Sequence, residues 1–261
     1  MDDSFLRSFF SLEGKVAVVT GGGRGLGRAM ALALGQAGAD LALVSRTEAE
    51  LKEASGKLGS LAPTRRVLTI PADLSQLDQI PKIVAEVVAK FGKIDILINN
   101  AGHNRRGPAE DFSFENWDAV INLNLKAAFA MAQAVGRVMI RQGRGKMVNT
   151  VSLTSFIGIP NMIAYCASRG GVAQMTKALA VEWAKYGLNV NGIAPGYFLT
   201  KQTEAFFKDP KKMEWALSRI PMGKLGHLEK DMGGAALFLA SPASDYITGQ
   251  ILTVDGGWMA A

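Results

Sequence analysis

With 261 residues, 48% of them hydrophobic and 20% charged, the chain has the composition of a soluble globular protein and ample material for a core. The single cysteine, Cys166, excludes an intrachain disulfide framework and suits a reducing, cytoplasmic setting. No apolar run approaches the roughly 20 residues of a membrane span, and the net charge of +6 is scattered without a basic stripe interleaved with aromatics, which argues against nucleic acid as a partner.

The opening residues 1–11 read as an N-terminal extension without an apolar block or cleavage site, so not as a signal peptide. Residues 12–261 read as one domain. Lys15 to Thr20 is a short β-branched strand that runs into Gly21-Gly22-Gly23-Arg24-Gly25-Leu26-Gly27 and a helix to about Ala37. Asp40 to Ser45 is a second strand, Glu48 to Leu61 a helix, Arg66 to Ile70 a third strand and Ser75 to Phe91 a helix. Ile94 to Ile98 is a fourth strand that ends in Asn99-Asn100-Ala101-Gly102, and a long helix is expected from about Glu115 to Gln142. A strand over 146–151, a helix over 162–185, a strand from Asn189 to Ile193, a helix from Lys230 to Ala240 and a strand from Gln250 to Val254 complete the series. Residues 197–228, punctuated by Pro210 and Pro221, read as an insertion with short helices and are expected to close over a substrate as a lid. Strict alternation of strand and helix predicts an α/β fold, a doubly wound parallel sheet with helices on both faces and right-handed crossovers.

Three features carry chemistry. Glycines 21, 25 and 27 between the first strand and the first helix permit a tight turn and let backbone N–H groups approach a pyrophosphate. At the end of the second strand, where an acid would bind ribose hydroxyls, stands Ser45-Arg46; Arg46 with Arg24 suits a 2′-phosphate, so NADP(H) is favoured and NAD(H) remains open. Asp73, with Leu74 beside it, is placed to accept from the adenine amino group, or else to cap the following helix. Asn100, Ala101 and Gly102 are small or polar residues at a strand C-terminus, where ligands bind in this architecture.

The third feature is Ser152, with Tyr165 thirteen residues on and Arg169 four after that. Ala164, Ala167, Val172, Met175, Leu179 and Trp183 recur at helical spacing, so Tyr165 and Arg169 share a face. A cation beside a phenol stabilises the phenolate, which suits acid/base work on an alcohol or carbonyl. The plain alternative is a helix with one polar stripe.

The combination of T-G-G-G-R-G-L-G over 20–27, N-N-A-G over 99–102, Asn124, Ser152, Tyr165, Pro195-Gly196 and Thr200 resembles the classical short-chain dehydrogenase/reductase family over essentially Leu12 to Trp258. The resemblance implies a seven-stranded Rossmann-like fold, reversible hydride transfer between a nicotinamide and a carbonyl/alcohol pair, and a dimer or tetramer. It implies Tyr165 as acid/base, Ser152 as holder of the substrate oxygen, Asn124 as anchor of a relay water, and Pro195, Gly196, Phe198 and Thr200 beside the nicotinamide. Ser155 is nearby at the wrong spacing. One departure stands out: the family has Lys where this chain has Arg169, which keeps the charge and donors but cannot lose a proton. A narrower resemblance, N-N-A-G-H-N-R-R over 99–106, is to the sugar-acid dehydrogenases. Arg105 or Arg106, just beyond the nicotinamide crevice, suits a carboxylate and equally a sulfonate or phosphate, or else is a surface or interface pair, and His103 is a candidate substrate contact or a structural histidine. An anionic sugar is therefore the expected substrate, no metal is expected, and a ketone or 3-oxoacyl-carrier-protein reductase or a non-catalytic nicotinamide-binding protein are the other readings.

Overall fold

The computed structural model describes residues 3–261. Seven strands form one all-parallel sheet: β1 (Val16–Thr20), β2 (Asp40–Ser45), β3 (Val67–Pro71), β4 (Ile96–Asn99), β5 (Gly145–Thr150), β6 (Leu188–Pro195) and β7 (Ile251–Val254). Their order is β3-β2-β1-β4-β5-β6-β7. The chain builds outward from β1 to β3, then crosses back to lay β4 on the other side of β1, in register Val19 against Ile98. Two strands whose crossovers leave in opposite directions open a crevice at their C-terminal ends, and that crevice is where the doubly wound fold binds ligands.

The first strand shows why the sheet is covered on both faces. All five residues of β1 are buried, and alternate ones point to opposite sides. Val16 and Val18 join a core with Leu97, Met147, Met131, Val135 and Trp183, beneath α4 (Gln79–Phe91), α6 (Ala127–Gln142) and α7 (Ile163–Trp183). Ala17 and Val19 join a second core with Ile96, Ile98, Met30, Leu34, Leu51 and Leu239. That core lies beneath α2 (Gly25–Gln36), α3 (Glu48–Leu61) and α10 (Gly233–Ala240). Each large apolar side chain removed from water in this way contributes about 1.5–3 kcal/mol.

The strands and major helices lie where the sequence predicts them, and α3 matches the predicted span to the residue. Three differences stand out. Residues 3–10 form a helix, α1, inside the stretch expected to be a bare extension. Residues 75–78 are turns, so α4 begins at Gln79. The long helix over 114–142 is not uniform: α5 (Phe114–Ile121) and α6 are joined by a π-turn at Asn122–Lys126. The short helices expected within 197–228 are α8 (Glu204–Phe207) and α9 (Pro210–Ser218). Among the described residues no helix is long and apolar enough to cross a membrane.

Polar groups inside the sheet are paired. Asn99 Nδ2 donates to the Ala128 carbonyl at 2.7 Å and to Asn149 Oδ1 at 3.2 Å, and Asn149 Nδ2 donates to Thr176 Oγ1 at 3.0 Å. This buried ladder ties β4, β5, α6 and α7 together directly beneath the crevice, and leaving one of these groups unpaired costs about 1–3 kcal/mol.

Candidate active site

The crevice is lined by the glycine turn, the ends of β2, β4, β5 and β6, the start of α7 and the first residues of the 197–228 segment. The turn is shaped by packing. A Cβ on Gly27 would sit 2.2 Å from the Gly21 carbonyl oxygen, and one on Gly21 would sit 2.8 Å from Asn100 Nδ2. Gly25 differs: its φ is +54°, and a Cβ there would meet only Thr200, 3.7 Å away. Arg24, the residue capping α2, offers its first-turn N–H groups no side-chain acceptor. The turn therefore presents backbone donors and a helix N-terminus to the cleft, a setting for an anion.

Thr20 organises the adjoining turn. Its hydroxyl accepts from the Asn100 N–H at 2.9 Å and the Ala101 N–H at 3.0 Å, while Asn100 Nδ2 donates to the Thr20 carbonyl at 3.1 Å. The end of β1 thus fixes Asn100, Ala101 and Gly102. Ser45 and Arg46 lie on the cleft wall at the end of β2, with Asp73 and Leu74 across from them. Arg46 makes no ion pair among the described residues, so its charge is uncommitted. Asp73 Oδ1 accepts from the Ser75 N–H at 3.0 Å and from the Ser75 hydroxyl at 2.8 Å. It closes the turn before α4 and caps no helix.

Ser152, Tyr165 and Arg169 all line the cleft, which places together the three residues that the spacing predicts. Ser152 starts a 3₁₀ turn, and its Oγ accepts from the Thr154 N–H at 3.2 Å. No partner holds the Tyr165 hydroxyl among the described residues, so phenol and serine are both available to a ligand. Ser155 is engaged elsewhere, since its hydroxyl donates to the Arg169 carbonyl at 2.8 Å and accepts from the Ser152 N–H at 3.2 Å. It fastens the end of β5 to α7 and is not a second acid.

Arg169 is 4% exposed. Its Nη1 donates to the Thr150 carbonyl at 2.7 Å, and its Cζ lies 5.3 Å from the Tyr165 ring centroid, so the cation covers one face of the phenol. A Cβ on Gly102 would stand 2.2 Å from Nη2, so any larger residue there would displace the guanidinium. Nε is buried without a partner, and no carboxylate pairs with this cation among the described residues. A buried, unpaired charge of this kind is costly in a fold and marks a site that awaits polar ligand atoms.

Asn124 is fully buried and sits within the π-turn between α5 and α6. Its Oδ1 accepts from the His103 N–H at 2.9 Å, and its Nδ2 donates to the His103 carbonyl at 2.8 Å and to Ser168 Oγ at 3.2 Å. It clamps the strand-end segment that follows Gly102. His103 itself does not line the main cleft. Its Nε2 is buried without a partner, and its imidazole is held below the ordinary 6.5 by burial first, then by Arg105, Arg46 and Arg169, with Asp73 opposing.

The two adjacent arginines separate. Arg105 Nη1 donates to Asn116 Oδ1 at 2.5 Å, which commits it to the start of α5. Arg106 lies 5.8 Å from the Phe206 ring centroid, against an aromatic cluster of Tyr197, Phe206, Trp215 and Trp258. Arg219 lies over Trp258 at 5.0 Å from the other side. Burial raises the Tyr197 phenol, and Arg106 and Arg219 both oppose that shift, so the two guanidinium groups act on the same phenol. Neither arginine of the pair lines the main cleft; Arg106 of the two meets the 197–228 segment, at Phe206. Pro195, Gly196, Phe198 and Thr200 line the cleft as expected. Glu50, Lys201 and Gln202 line it as well and are not suggested by the motifs, because a surface helix turn and a loop carry no sequence signature of where they fold back.

Residues 21–259 match the family described as enoyl-(acyl carrier protein) reductase. The 2-dehydro-3-deoxy-D-gluconate 5-dehydrogenase of Escherichia coli K12 is 48% identical over 97% of this chain and 98% of its own length. The gluconate 5-dehydrogenase of Gluconobacter oxydans is 42% identical over 95% and 96%. Among solved structures, a gluconate 5-dehydrogenase from Burkholderia cenocepacia J2315 in complex with NADP and tartrate superposes with a TM-score of 0.93 at 38% identity, covering 98% of this chain and 99% of that one. On these matches across nearly its whole length, the chain belongs to the short-chain dehydrogenase/reductase family.

Proposed function

We propose that this protein is an NADP(H)-preferring dehydrogenase of a sugar acid, with NAD(H) as the weaker cofactor. The observation that carries the proposal is the convergence of Ser152, Tyr165 and Arg169 on the cleft that the glycine turn opens. The relatives that share this core are named for gluconate and 2-dehydro-3-deoxy-D-gluconate, and the Burkholderia relative was solved with NADP.

The residues present fit a nicotinamide dinucleotide. Gly25 leaves the α2 N-terminus open to a pyrophosphate, Arg46 is an uncommitted cation where a 2′-phosphate would lie, and the buried Nε of Arg169 lacks a partner. The nicotinamide, when bound, accepts or supplies the hydride. Tyr165 takes the hydroxyl proton of the alcohol in oxidation and returns one to the carbonyl oxygen in reduction. Ser152 donates a hydrogen bond to that same oxygen and holds it beside the phenol. Arg169 supplies a fixed positive charge at the phenol face and has donors left for ribose hydroxyls, but passes no proton. Asn124 holds the His103 backbone and with it the floor of the proton's exit route. Arg106, rather than Arg105, receives the substrate carboxylate, because Arg105 is committed to Asn116. The segment 197–228 covers the substrate. We further place the enzyme in the cytoplasm as a homo-oligomer, in keeping with its lone cysteine and with Phe129, Ile163 and Val181 left exposed on α6 and α7.

The test is nicotinamide reduction by the purified protein with NADP⁺ and NAD⁺ over neutral sugars, sugar acids and, in the reverse direction, 3-oxoacyl thioesters. Turnover confined to sugar acids, weakened by Arg106→Ala more than by Arg105→Ala, is the expected result. Turnover of acyl thioesters alone would move the protein to the carrier-protein reductases. Binding of cofactor without any turnover would make it a non-catalytic sensor.

A further inference from the structure

A second charged cluster lies at the opposite end of the cleft from Tyr165, and no step of the reaction uses it. Glu50, in the first turn of α3, receives hydrogen bonds from Arg24 Nη1 and from Lys201 Nζ, both at 3.1 Å to the same oxygen, Oε1. Arg24 belongs to the glycine turn and Lys201 to the root of the covering segment, 151 residues along from Glu50. All three line the cleft together with Ser45, Arg46 and Thr47. A Cβ on Gly23 would lie 3.1 Å from the Glu50 Cβ and 3.2 Å from Ser45 Oγ, so the glutamate, the glycine turn and the end of β2 meet at one point. Burial raises the Glu50 carboxyl, but hydrogen bonds and charge from Lys201 and Arg24 outweigh it and hold it below the ordinary carboxylate value. The carboxylate is therefore ionised.

The chemistry of this arrangement is competitive. Arg24 and Arg46 are the cations a 2′-phosphate on the adenosine ribose would use, and one of them is already occupied by an internal anion. We propose that Glu50 is a cofactor-selectivity residue: its carboxylate bridges Arg24 and Lys201 across the adenosine end of the cleft, and a 2′-phosphate binds by taking those two cations from it. A cofactor without that phosphate leaves the bridge intact. Arg24 and Lys201 have side chains 54% and 68% exposed, so both ion pairs are water-screened and readily exchanged. A dianionic phosphate offers each cation a stronger partner than one carboxylate does. Once released, Lys201 becomes a third cation for the phosphate beside Arg24 and Arg46. The root of the covering segment then exchanges a tie to α3 for a tie to the cofactor. The inference rests on the dinucleotide reading of the cleft but not on which cofactor the wild type prefers.

The experiment is isothermal titration of the full-length protein with NADP⁺ and, separately, NAD⁺, for the wild type, Glu50→Gln and Lys201→Met, with thermal melting as a check on folding. Glu50→Gln removes the competing charge and should tighten NADP⁺ by about threefold to fivefold while NAD⁺ stays within about twofold, the scale of one screened surface charge. Lys201→Met keeps Glu50 on Arg24 alone and should weaken NADP⁺ by about threefold or more without changing NAD⁺. Equal changes for both cofactors in Glu50→Gln, or a weaker NADP⁺, would overturn the proposal. So would a selective loss of NAD⁺ affinity, which would make Glu50 an acceptor for the ribose hydroxyls. The wild-type ratio of the two dissociation constants tests the NADP(H) reading separately: a wild type that prefers NAD⁺ refutes that preference, and the shift on Glu50→Gln still decides the role of Glu50.

Discussion

Arg169 is a side chain that costs the fold free energy. It is a buried cation held by a single carbonyl, with Nε unpartnered and no carboxylate beside it among the described residues. Removing such a charge relieves a desolvation cost. Arg169→Met should therefore melt at the wild-type temperature or above, while kcat falls by about 100-fold or more as the phenol loses its fixed charge. A large drop in melting temperature would mean that the guanidinium is paired in a way that stabilises the fold. His103 gives a pH prediction with a definite sign. Its folded pKa is depressed, chiefly by burial, so its contribution to stability is complete above 6.5 and is lost as pH falls through the lowered folded value. His103→Gln should flatten the acid slope of melting temperature that begins near pH 6.5 and leave the neutral plateau in place. An unchanged slope would assign the acid loss to other groups.

At the scale of elements, the helix α1 is attached lightly. Phe5, Leu6, Phe9 and Phe10 are each more than a third exposed, at 56%, 41%, 42% and 38%, whereas Leu12 is 1% exposed and belongs to the core. Beyond the helix, the Leu12 N–H donates to the Ala37 carbonyl at the end of α2, at 2.8 Å. A chain that begins at Ser11 should keep its cofactor affinity and lose less than about 3 °C in melting temperature, because so little apolar area leaves the core. The π-turn at Asn122–Lys126 is the opposite case, a local irregularity with a use. It places Asn124 where both ends of its amide meet the His103 backbone, and such bulges are common at functional sites. Periodicity over residues 115–142 reads straight through it, because one extra residue in a turn barely disturbs the apolar spacing on either side.

Over the whole molecule, α6 and α7 each bury one face on the sheet and still expose Phe129, Ile163 and Val181, the last at 84%. A second copy of the chain is the expected cover, so Val181→Asp should shift sedimentation toward a smaller species while the far-ultraviolet spectrum stays the same. A species of unchanged size would remove that helix face from the interface. The order of the elements, the glycine turn and the meeting of Ser152, Tyr165 and Arg169 on one cleft were readable from the chain by itself. They depend on local rules: apolar runs of strand length, helical spacing, a glycine where backbone must come close, and Tyr165 and Arg169 one turn apart. What the fold alone decided is which neighbours each side chain meets across long sequence distances. Arg105 and Arg106 are identical in sequence terms, yet Asn116 captures one and the aromatic cluster around Phe206 receives the other. Ser155 stands three residues from Ser152 but is committed to the Arg169 carbonyl, and Glu50 meets Lys201 only because the 197–228 segment returns to α3. Pairings of this kind, over separations from 11 residues for Arg105 and Asn116 to 151 for Glu50 and Lys201, are fixed by how the segments pack, and no helical or strand periodicity reports them.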